Sequence, residues 1–173
     1  MSNYRRIRVP GGCYFFTVNL LERKSNTLLI DHIDLFRDAV RQTRKQHPFH
    51  IDAWVVLPEH MHCVWTLPLG DEDYSNRWRV IKQRFSRALP NTEHRSSTRI
   101  KRNERGIWQR RFWAHWITHE QDYAAHVDYC HWNPMKHGLV QRLADWPYSS
   151  FHRFVQAGIL DEHWAGTSDL NQD

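Results

Sequence analysis

The sequence predicts an α+β domain in which a mostly antiparallel sheet carries helices on one face. The predicted elements follow the order βαββαβα, a tight break at Pro58-Glu59 joins the two middle strands, and no βαβ period repeats along the chain. This order fits a split βαβ, ferredoxin-like arrangement. The 173 residues suit one domain with a real core, and a hydrophobic content of 40% excludes a disordered chain.

The first half of the chain provides three strands and one helix. Residues 14–20 are β-branched and aromatic and predict a strand, and residues 30–46 place apolar side chains at helical spacing. Residues 49–57 alternate as a second strand, and residues 60–67 return as its hairpin partner. One face of the second strand is predicted to carry Ile51, Ala53, Val55 and Leu57.

The next segment is strongly basic. Ser75 is a good N-cap for a helix over residues 76–89, and the polar stretch 90–106 predicts a mobile loop. Residues 107–117 (IWQRRFWAHWI) then predict a further strand.

The last long helix is predicted over residues 120–133, where Pro134 interrupts it. We therefore divide the chain into a main domain, residues 1–145, and a short helical or looped appendage, residues 146–173. The appendage is expected either to pack against its own domain or to cover a basic groove of that domain until a ligand displaces it.

The charge is unevenly distributed. The chain has a net charge of +5, but residues 77–111 hold ten Arg and two Lys against two Glu, a local balance of +10. Arg5, Arg6 and Arg8 form a smaller basic cluster, whereas residues 160–173 contain four acids and no Lys or Arg. Because Arg binds phosphate through paired hydrogen bonds, this segregation predicts a nucleic-acid surface.

Membrane and secreted classes are excluded by the sequence. No apolar run reaches the roughly 20 residues that a bilayer span needs, and the first residues lack the apolar core of a signal peptide. The three cysteines are odd in number and have no CxxC spacing, which indicates reduced thiols in a cytoplasmic protein.

Two short motifs carry residues suited to chemistry. His60 and His62 alternate on a predicted strand, so both imidazoles project from one face, where they either chelate a divalent metal or form a half-buried pair. Tyr129 and Asn133 are four residues apart and share a helix face. Tyr129 offers a hydroxyl nucleophile or is simply a packed residue, while Asn133, which offers a carbonyl oxygen, is expected where the helix ends or kinks.

Together, these motifs resemble the HUH single-tyrosine transposases, in which U is a hydrophobic residue, and among them the REP-associated tyrosine transposases of bacteria. The similarity covers most of the chain, through AWVVLPEHMHCVWTLP, SNRWRVIKQRF, IWQRRFWAHWI, HVDYCHWNPMKHG and DWPYSSFHR. The combination of LPEHMHxxW with a Tyr four residues before Asn-Pro-x-Lys-His-Gly is highly specific.

The resemblance implies an HUH nuclease fold and a metal-dependent single-stranded DNA endonuclease and strand transferase. It assigns His60, His62 and Asn133 as ligands of Mg²⁺ or Mn²⁺, and Tyr129 as the nucleophile that forms a 5′-phosphotyrosine. The implied substrate is single-stranded DNA with a REP-like stem-loop and a short guide sequence at its foot. The implied location is the bacterial cytoplasm, in association with the nucleoid.

Basic and aromatic residues are the expected DNA contacts. Arg5, Arg6 and Arg8 are expected to contact the guide. Lys136 and His137 are expected either to hold a phosphate or assist proton transfer, or simply to cap the helix. Backbone contacts to the hairpin are expected from Arg77, Arg79, Arg84, Arg87, Arg110 and Arg111. Four tryptophans either stack on unpaired bases or belong to the core: Trp78, Trp108, Trp113 and Trp116.

Other interpretations stay open at this stage. One alternative is a domesticated relative that binds palindromic hairpins without cutting them, and another is a small metallohydrolase that uses His60, His62 and Cys63. The sequence leaves both a monomer and a dimer open, since related single-tyrosine transposases exchange the tyrosine helix between two subunits.

Overall fold

A four-stranded antiparallel sheet forms the centre of the computed structural model, which describes residues 6–167. Its strands are β1 (Cys13–Asn19), β2 (His50–Val56), β3 (His60–Thr66) and β4 (Trp113–Ile117), in the order β2-β3-β1-β4. Each neighbouring pair is antiparallel. The predicted α+β class and the ferredoxin-like strand order are therefore confirmed.

Six helices accompany this sheet within the described residues. They are α1 (Leu28–Asp31), α2 (Ile33–Gln46), α3 (Tyr74–Ala88), α4 (Ser97–Lys101), α5 (Glu120–Lys136) and α6 (Phe151–Gln156). None of the helices between residues 6 and 167 is long and apolar enough to cross a membrane.

The helices cover both faces of the sheet, which corrects the prediction of one face. Helices α2 and α3 pack on the side chains of Phe16, Met61 and Trp65. Helix α5 packs on the opposite face, over Phe15 and Val64. Alternate strand residues point to opposite faces, and both sets of this sheet are apolar, so each face needs a cover. Helical periodicity does not reveal which face a helix will choose.

A β-bulge changes the predicted face of β2. The pairing with β3 shifts register between Ile51 and Ala53. Ala53 packs on the α5 side as expected, whereas Ile51 packs against the core under α2 and α3. One extra residue in a strand reverses the direction of every side chain before it, so strict alternation placed Ile51 wrongly.

Helix α3 begins at Tyr74, two residues before the predicted start. Its N-cap is Asp73, whose carboxylate accepts a hydrogen bond of 3.1 Å from the Asn76 amide. The predicted cap, Ser75, lies inside the helix, and its hydroxyl accepts a hydrogen bond from Arg6. Both residue types cap helices well, and the aromatic Tyr74, buried in the core, brings the start forward.

The segment predicted as a loop, 90–106, contains α4 and is attached to α3. The Arg105 guanidinium donates hydrogen bonds to the carbonyls of Ser86, Leu89 and Pro90, and it pairs with Glu93. The following strand is shorter than predicted, since residues 107–112 join the sheet only through a bridge between Trp108 and Leu20.

Helix α5 passes through Pro134 and continues to Lys136, beyond the predicted interruption. Proline near a helix end removes a single hydrogen bond, and the burial of the apolar Pro134 ring helps to offset that loss. Gly138, with a φ of 65°, then ends the helix in the left-handed conformation that glycine adopts most readily.

Residues 146–167 pack on their own domain. Trp54 N–H donates to the Ser150 hydroxyl, and the Trp146 indole donates to the carbonyl of Val56, so this segment covers the outer edge of β2. Further on, a Cβ on Gly166 would lie 2.8 Å from the Trp132 ring, which shows how closely the chain passes α5.

Candidate active site and nucleic-acid groove

His60 and His62 lie on the same face of the sheet, as alternation predicted. The structure shows that this is the face covered by α5. The rings of His60 and His62 are buried and their centroids are 5.0 Å apart. His60 Nδ1 donates a 2.8 Å hydrogen bond to the Glu59 carboxylate, and His62 Nδ1 shares a 2.8 Å hydrogen bond with Thr17 Oγ1. The Nδ1 atom of each ring is thus engaged, and Nε2 is the nitrogen available to a metal.

Burial keeps this pair neutral. Desolvation lowers the pKa of His60 against the opposing effect of Glu59, and it lowers the pKa of His62 well below its usual value. The proximity of the two imidazoles lowers the pKa of His62 further. Neutral imidazoles carry the lone pair that metal coordination requires, so the pair is in a binding-competent state at neutral pH.

Tyr129 meets the pair from α5. Its ring centroid is 5.2 Å from that of His62 and 5.8 Å from that of Phe15, which stacks on His62. Lys136 Nζ lies 5.1 Å from the Tyr129 ring centroid. The fold of a single chain thus brings Tyr129 next to the histidine pair.

Asn133 has the properties of a third ligand. It is fully buried, and its side-chain Nδ2 donates a 2.9 Å hydrogen bond to the carbonyl of Tyr129. Its Oδ1 is buried without a hydrogen-bond partner among residues 6–167. An orphaned buried acceptor is costly, and a cation would satisfy it. On this observation, the predicted donor set fits a divalent metal.

The face of α5 that carries Tyr129 and Asn133 extends to His137, next to the histidine pair. Tyr129, Asn133 and His137 are spaced by four residues, and the His137 ring lies 5.0 Å from that of His60. His137 therefore borders the candidate site, although it was not among the predicted ligands. Its i+4 spacing from Asn133 was the signal in the sequence.

A basic groove lies on the α3 side of the sheet. It has a volume of about 1090 Å³ and is lined by α3, α4 and residues 102–112. The predicted DNA contacts that line it are Arg6, Arg79, Arg87 and Arg110. Sequence reasoning missed Lys82, Arg99 and Arg102, which line it too and belong to the same charge cluster.

The groove floor combines rings with cations. The Arg6 guanidinium lies 4.2 Å from the Phe112 ring centroid, and Lys82 Nζ lies 5.8 Å from that of Trp108. Burial, with the nearby charge of Arg6, lowers the pKa of Lys82 to about 8. This lining suits phosphates and flat bases.

The remaining predicted arginines have different surroundings. Arg77 is 3% exposed; it pairs with Asp71 at 2.7 Å and donates to the carbonyls of His47 and Pro48. Its guanidinium is therefore used inside the protein, contrary to the expected DNA contact. Arg84 lies toward α2, where it donates to Gln46.

Two other predicted arginines, Arg8 and Arg111, are exposed and lie outside the groove lining. Arg5 is outside the described residues.

The four tryptophans divide between core and surface. Trp78 is fully buried and stacks on Trp65 at 4.3 Å, and Trp116 packs against the same core. Trp108 lines the groove, and Trp113 is 53% exposed. Burial therefore excludes base stacking for Trp78, whereas Trp108 and Trp113 lie where a base could reach them.

The groove and the tyrosine site share one end of the sheet. Asn19, the last residue of β1, pairs with His60, and the next residue, Leu20, bridges to Trp108 of the groove. Gln109 N–H also donates to the Asn19 carbonyl, at 3.0 Å. The groove and the histidine pair therefore both adjoin the end of β1.

The chain is similar to two curated proteins over almost its whole length. It is 48% identical over 166 residues to the REP-associated tyrosine transposase of Escherichia coli (strain K12), covering 96% of this chain and 92% of that protein. It is 46% identical over 171 residues to a protein of Haemophilus influenzae that carries the same family name, with 98% and 97% covered. No protein-family model matches the sequence.

A solved structure agrees with these relatives. It is described as the REP-associated tyrosine transposase bound to a REP hairpin, and it matches this chain with a TM-score of 0.83 and 46% identity. The match covers 96% of this chain and 93% of that one. Such identity over nearly full length, with the HUH fold, shows that the chain belongs to the REP-associated tyrosine transposases.

Proposed function

We propose that this protein is a metal-dependent single-stranded DNA endonuclease and strand transferase that acts on REP-like hairpins. The observation that carries the proposal is the edge-to-face packing of Tyr129 on His62, with ring centroids 5.2 Å apart. One helical turn after Tyr129, the buried Asn133 Oδ1 has no hydrogen-bond partner among the described residues. The hairpin bound to the related solved structure supports the substrate class.

In the proposed reaction, Tyr129 Oη gives its proton to solvent water and attacks the scissile phosphorus. The bond from phosphorus to the 3′ oxygen breaks, and that oxygen takes a proton from solvent water and leaves as a 3′-hydroxyl. The downstream strand stays on the enzyme as a 5′-phosphotyrosine. Because the ester energy is retained, a 3′-hydroxyl can reverse the step and rejoin strands without ATP.

His60, His62 and the Asn133 oxygen would hold the divalent cation. When bound, the cation supplies a Lewis acid that polarises the scissile phosphate and neutralises its developing charge. Imidazole ligands are softer than those Mg²⁺ usually recruits, so Mn²⁺ suits this set well in vitro.

Residues of the chain itself orient the reaction. The Phe15 ring packs against both side chains: it stacks on His62 and meets the Tyr129 ring edge-on. The Lys136 ammonium lies beside the Tyr129 ring, where it would attract the phosphate and stabilise a phenolate. The hairpin stem would occupy the basic groove, and its single strand would pass around the end of β1 to reach Tyr129. Because the proposed substrate is bacterial DNA, we expect this activity in the cytoplasm, in association with the nucleoid.

Substitution of the tyrosine tests this function, and the chain offers a matched control. Tyr123 lies on the same helix, but it donates a 3.0 Å hydrogen bond to Asp52, and Thr66 at the far end of β3 donates to the same carboxylate. We expect Tyr129→Phe to abolish the covalent adduct, since it removes the nucleophilic oxygen. Tyr123→Phe should retain the adduct.

The assay uses a hairpin oligonucleotide labelled at its 3′ end, because the 5′-phosphotyrosine retains the downstream strand. After incubation with Mn²⁺, adducts are counted on a denaturing gel, and hairpin binding is measured separately by mobility shift. An undiminished adduct in Tyr129→Phe would refute the assignment. Hairpin binding by the wild-type protein without any adduct would instead favour the non-catalytic binder.

A further inference from the structure

A second cluster of metal-ligating side chains lies outside the predicted site. His115 Nε2 donates to both oxygens of Asp122, at 2.9 and 3.0 Å, and His126 Nδ1 lies 2.9 Å from the same carboxylate. One ligand atom from each of the three residues lies within 4.8 Å of the others. The proposed function above uses none of them.

The fold brings these residues together from β4 and α5. His115 pairs with Phe15 in the sheet, so it points toward α5, where Asp122 and His126 are one turn apart. The two imidazole rings stack with centroids 4.6 Å apart. The Thr118 amide donates to Asp122 Oδ2 at 3.2 Å and so holds the carboxylate in place.

We infer that His115, Asp122 and His126 form a second metal site, which takes a transition-metal ion such as Zn²⁺. Two imidazoles and one carboxylate are a donor set typical of Zn²⁺, and they suit Mg²⁺ or Ca²⁺ poorly. The side chains are 37%, 14% and 25% exposed, in the same order, so water can complete the coordination.

The protons balance without an outside acceptor. Each imidazole is neutral when it offers a lone pair, so His115 moves its proton from Nε2 to Nδ1 as it binds the ion. His126 likewise moves its Nδ1 proton to Nε2 and gives up its 2.8 Å hydrogen bond to the carbonyl of Asp122. Burial opposes ionisation of Asp122, but hydrogen bonds from His115 and Thr118 outweigh it and lower its pKa. The carboxylate therefore binds as the anion.

The site would join β4 to the first turns of the tyrosine helix. The His126 ring lies 4.7 Å from that of Phe15, and Phe15 contacts both His62 and Tyr129. A metal at the cluster would thus hold α5 against the sheet at Asp122 and His126. These residues precede the proposed nucleophile, Tyr129, by no more than two helical turns. The inference of this second metal site does not depend on the proposed DNA cleavage.

The test uses the full chain with His60→Ala and His62→Ala, which removes the first pair. Calorimetric titration with Zn²⁺ should show one equivalent bound, and Co²⁺ should give visible absorption bands of tetrahedral or five-coordinate geometry. Zn²⁺ should also raise the melting temperature of this variant, because an ion that binds only the folded state stabilises it.

Adding His115→Gln or Asp122→Asn to that background should abolish the bound equivalent and the Co²⁺ bands. His163, whose side chain is 71% exposed, lies outside the cluster and serves as the control. Adding His163→Gln should leave the bound Zn²⁺ equivalent and the Co²⁺ bands unchanged. Circular dichroism verifies the fold of each variant. No Zn²⁺ binding by the folded double variant, or binding that survives both cluster substitutions, would overturn the inference.

Discussion

At the scale of single residues, the candidate site depends on the partners of its ligands. His60 is oriented by Glu59, whose carboxylate is in turn held by Arg23 at 3.1 Å. His62 depends on Thr17, which pairs with it across the β1–β3 ladder. Such outer hydrogen bonds select the ring tautomer and direct the coordinating nitrogen. Glu59 is adjacent to His60 in the sequence, whereas Thr17 meets His62 only through the strand register.

Thr17→Val should weaken Mn²⁺ binding by about 10- to 100-fold, because it removes the hydrogen bond to His62 Nδ1 while keeping the side-chain shape. Titration calorimetry in the Asp122→Asn background, which lacks the second cluster, measures this affinity. Thr17→Ser retains the hydroxyl and should bind Mn²⁺ within a few-fold of the parent. Equal affinities for the valine variant and the parent would contradict the orienting role.

At the scale of elements, α3 shows that neighbouring arginines have unlike roles. Arg77 faces the core and connects α3 to the turn at Pro48 and to Asp71. Arg79 is exposed in the groove, where it contacts only its own helix through Asn76 among the bonds described. The two side chains are about 200° apart around the helix axis, since each residue adds about 100°.

Arg77→Met should lower the free energy of unfolding by about 3 kcal/mol, because it leaves buried acceptors and a carboxylate without their donor. Arg79→Ala should change that free energy by less than about 0.5 kcal/mol. Urea denaturation compares the two. Arg79→Ala should instead weaken the binding of hairpins of every sequence to a similar extent. It should also reduce the slope of log affinity against log salt concentration by about 1. Wild-type stability in Arg77→Met would contradict the internal role.

At the scale of the whole molecule, the sheet separates the basic groove from the candidate tyrosine site. One face and its helices form the groove, and the other carries the tyrosine site. The segment after residue 145 completes the second face. There, His131 of α5 shares a 2.8 Å hydrogen bond with Ser150, whose hydroxyl also bonds to Trp54 of β2. This bond attaches the appendage to both α5 and the sheet.

The stability of the molecule should fall as the pH drops below 6.5. Burial, with the nearby charge of Arg153, lowers the pKa of His131 to about 4, and its Nδ1 has no partner among residues 6–167. The unfolded chain binds a proton near pH 6.5, whereas the folded one does not. His131 therefore contributes its full stability above that pH and loses it as the pH falls toward 4.

His131→Gln tests this contribution, because Gln cannot titrate and can still bond to Ser150. Between pH 7.5 and pH 5.5 the wild type should lose about 1 kcal/mol more unfolding free energy than the variant. Urea denaturation at both pH values measures the difference. Equal losses would show that His131 does not contribute, since His60 and His62 are present in both proteins.

The sequence by itself determined the features that depend on local backbone geometry. A strand period of two set His60 and His62 on one face, the helical period aligned Tyr129 with Asn133, and the Arg cluster was visible as charge. Only the tertiary structure decided what depends on contacts between distant segments. Packing put α5 on the face opposite α3, buried Arg77, and brought His115 to Asp122. No period in the chain encodes these contacts, because they arise when apolar surfaces from separate elements exclude water together.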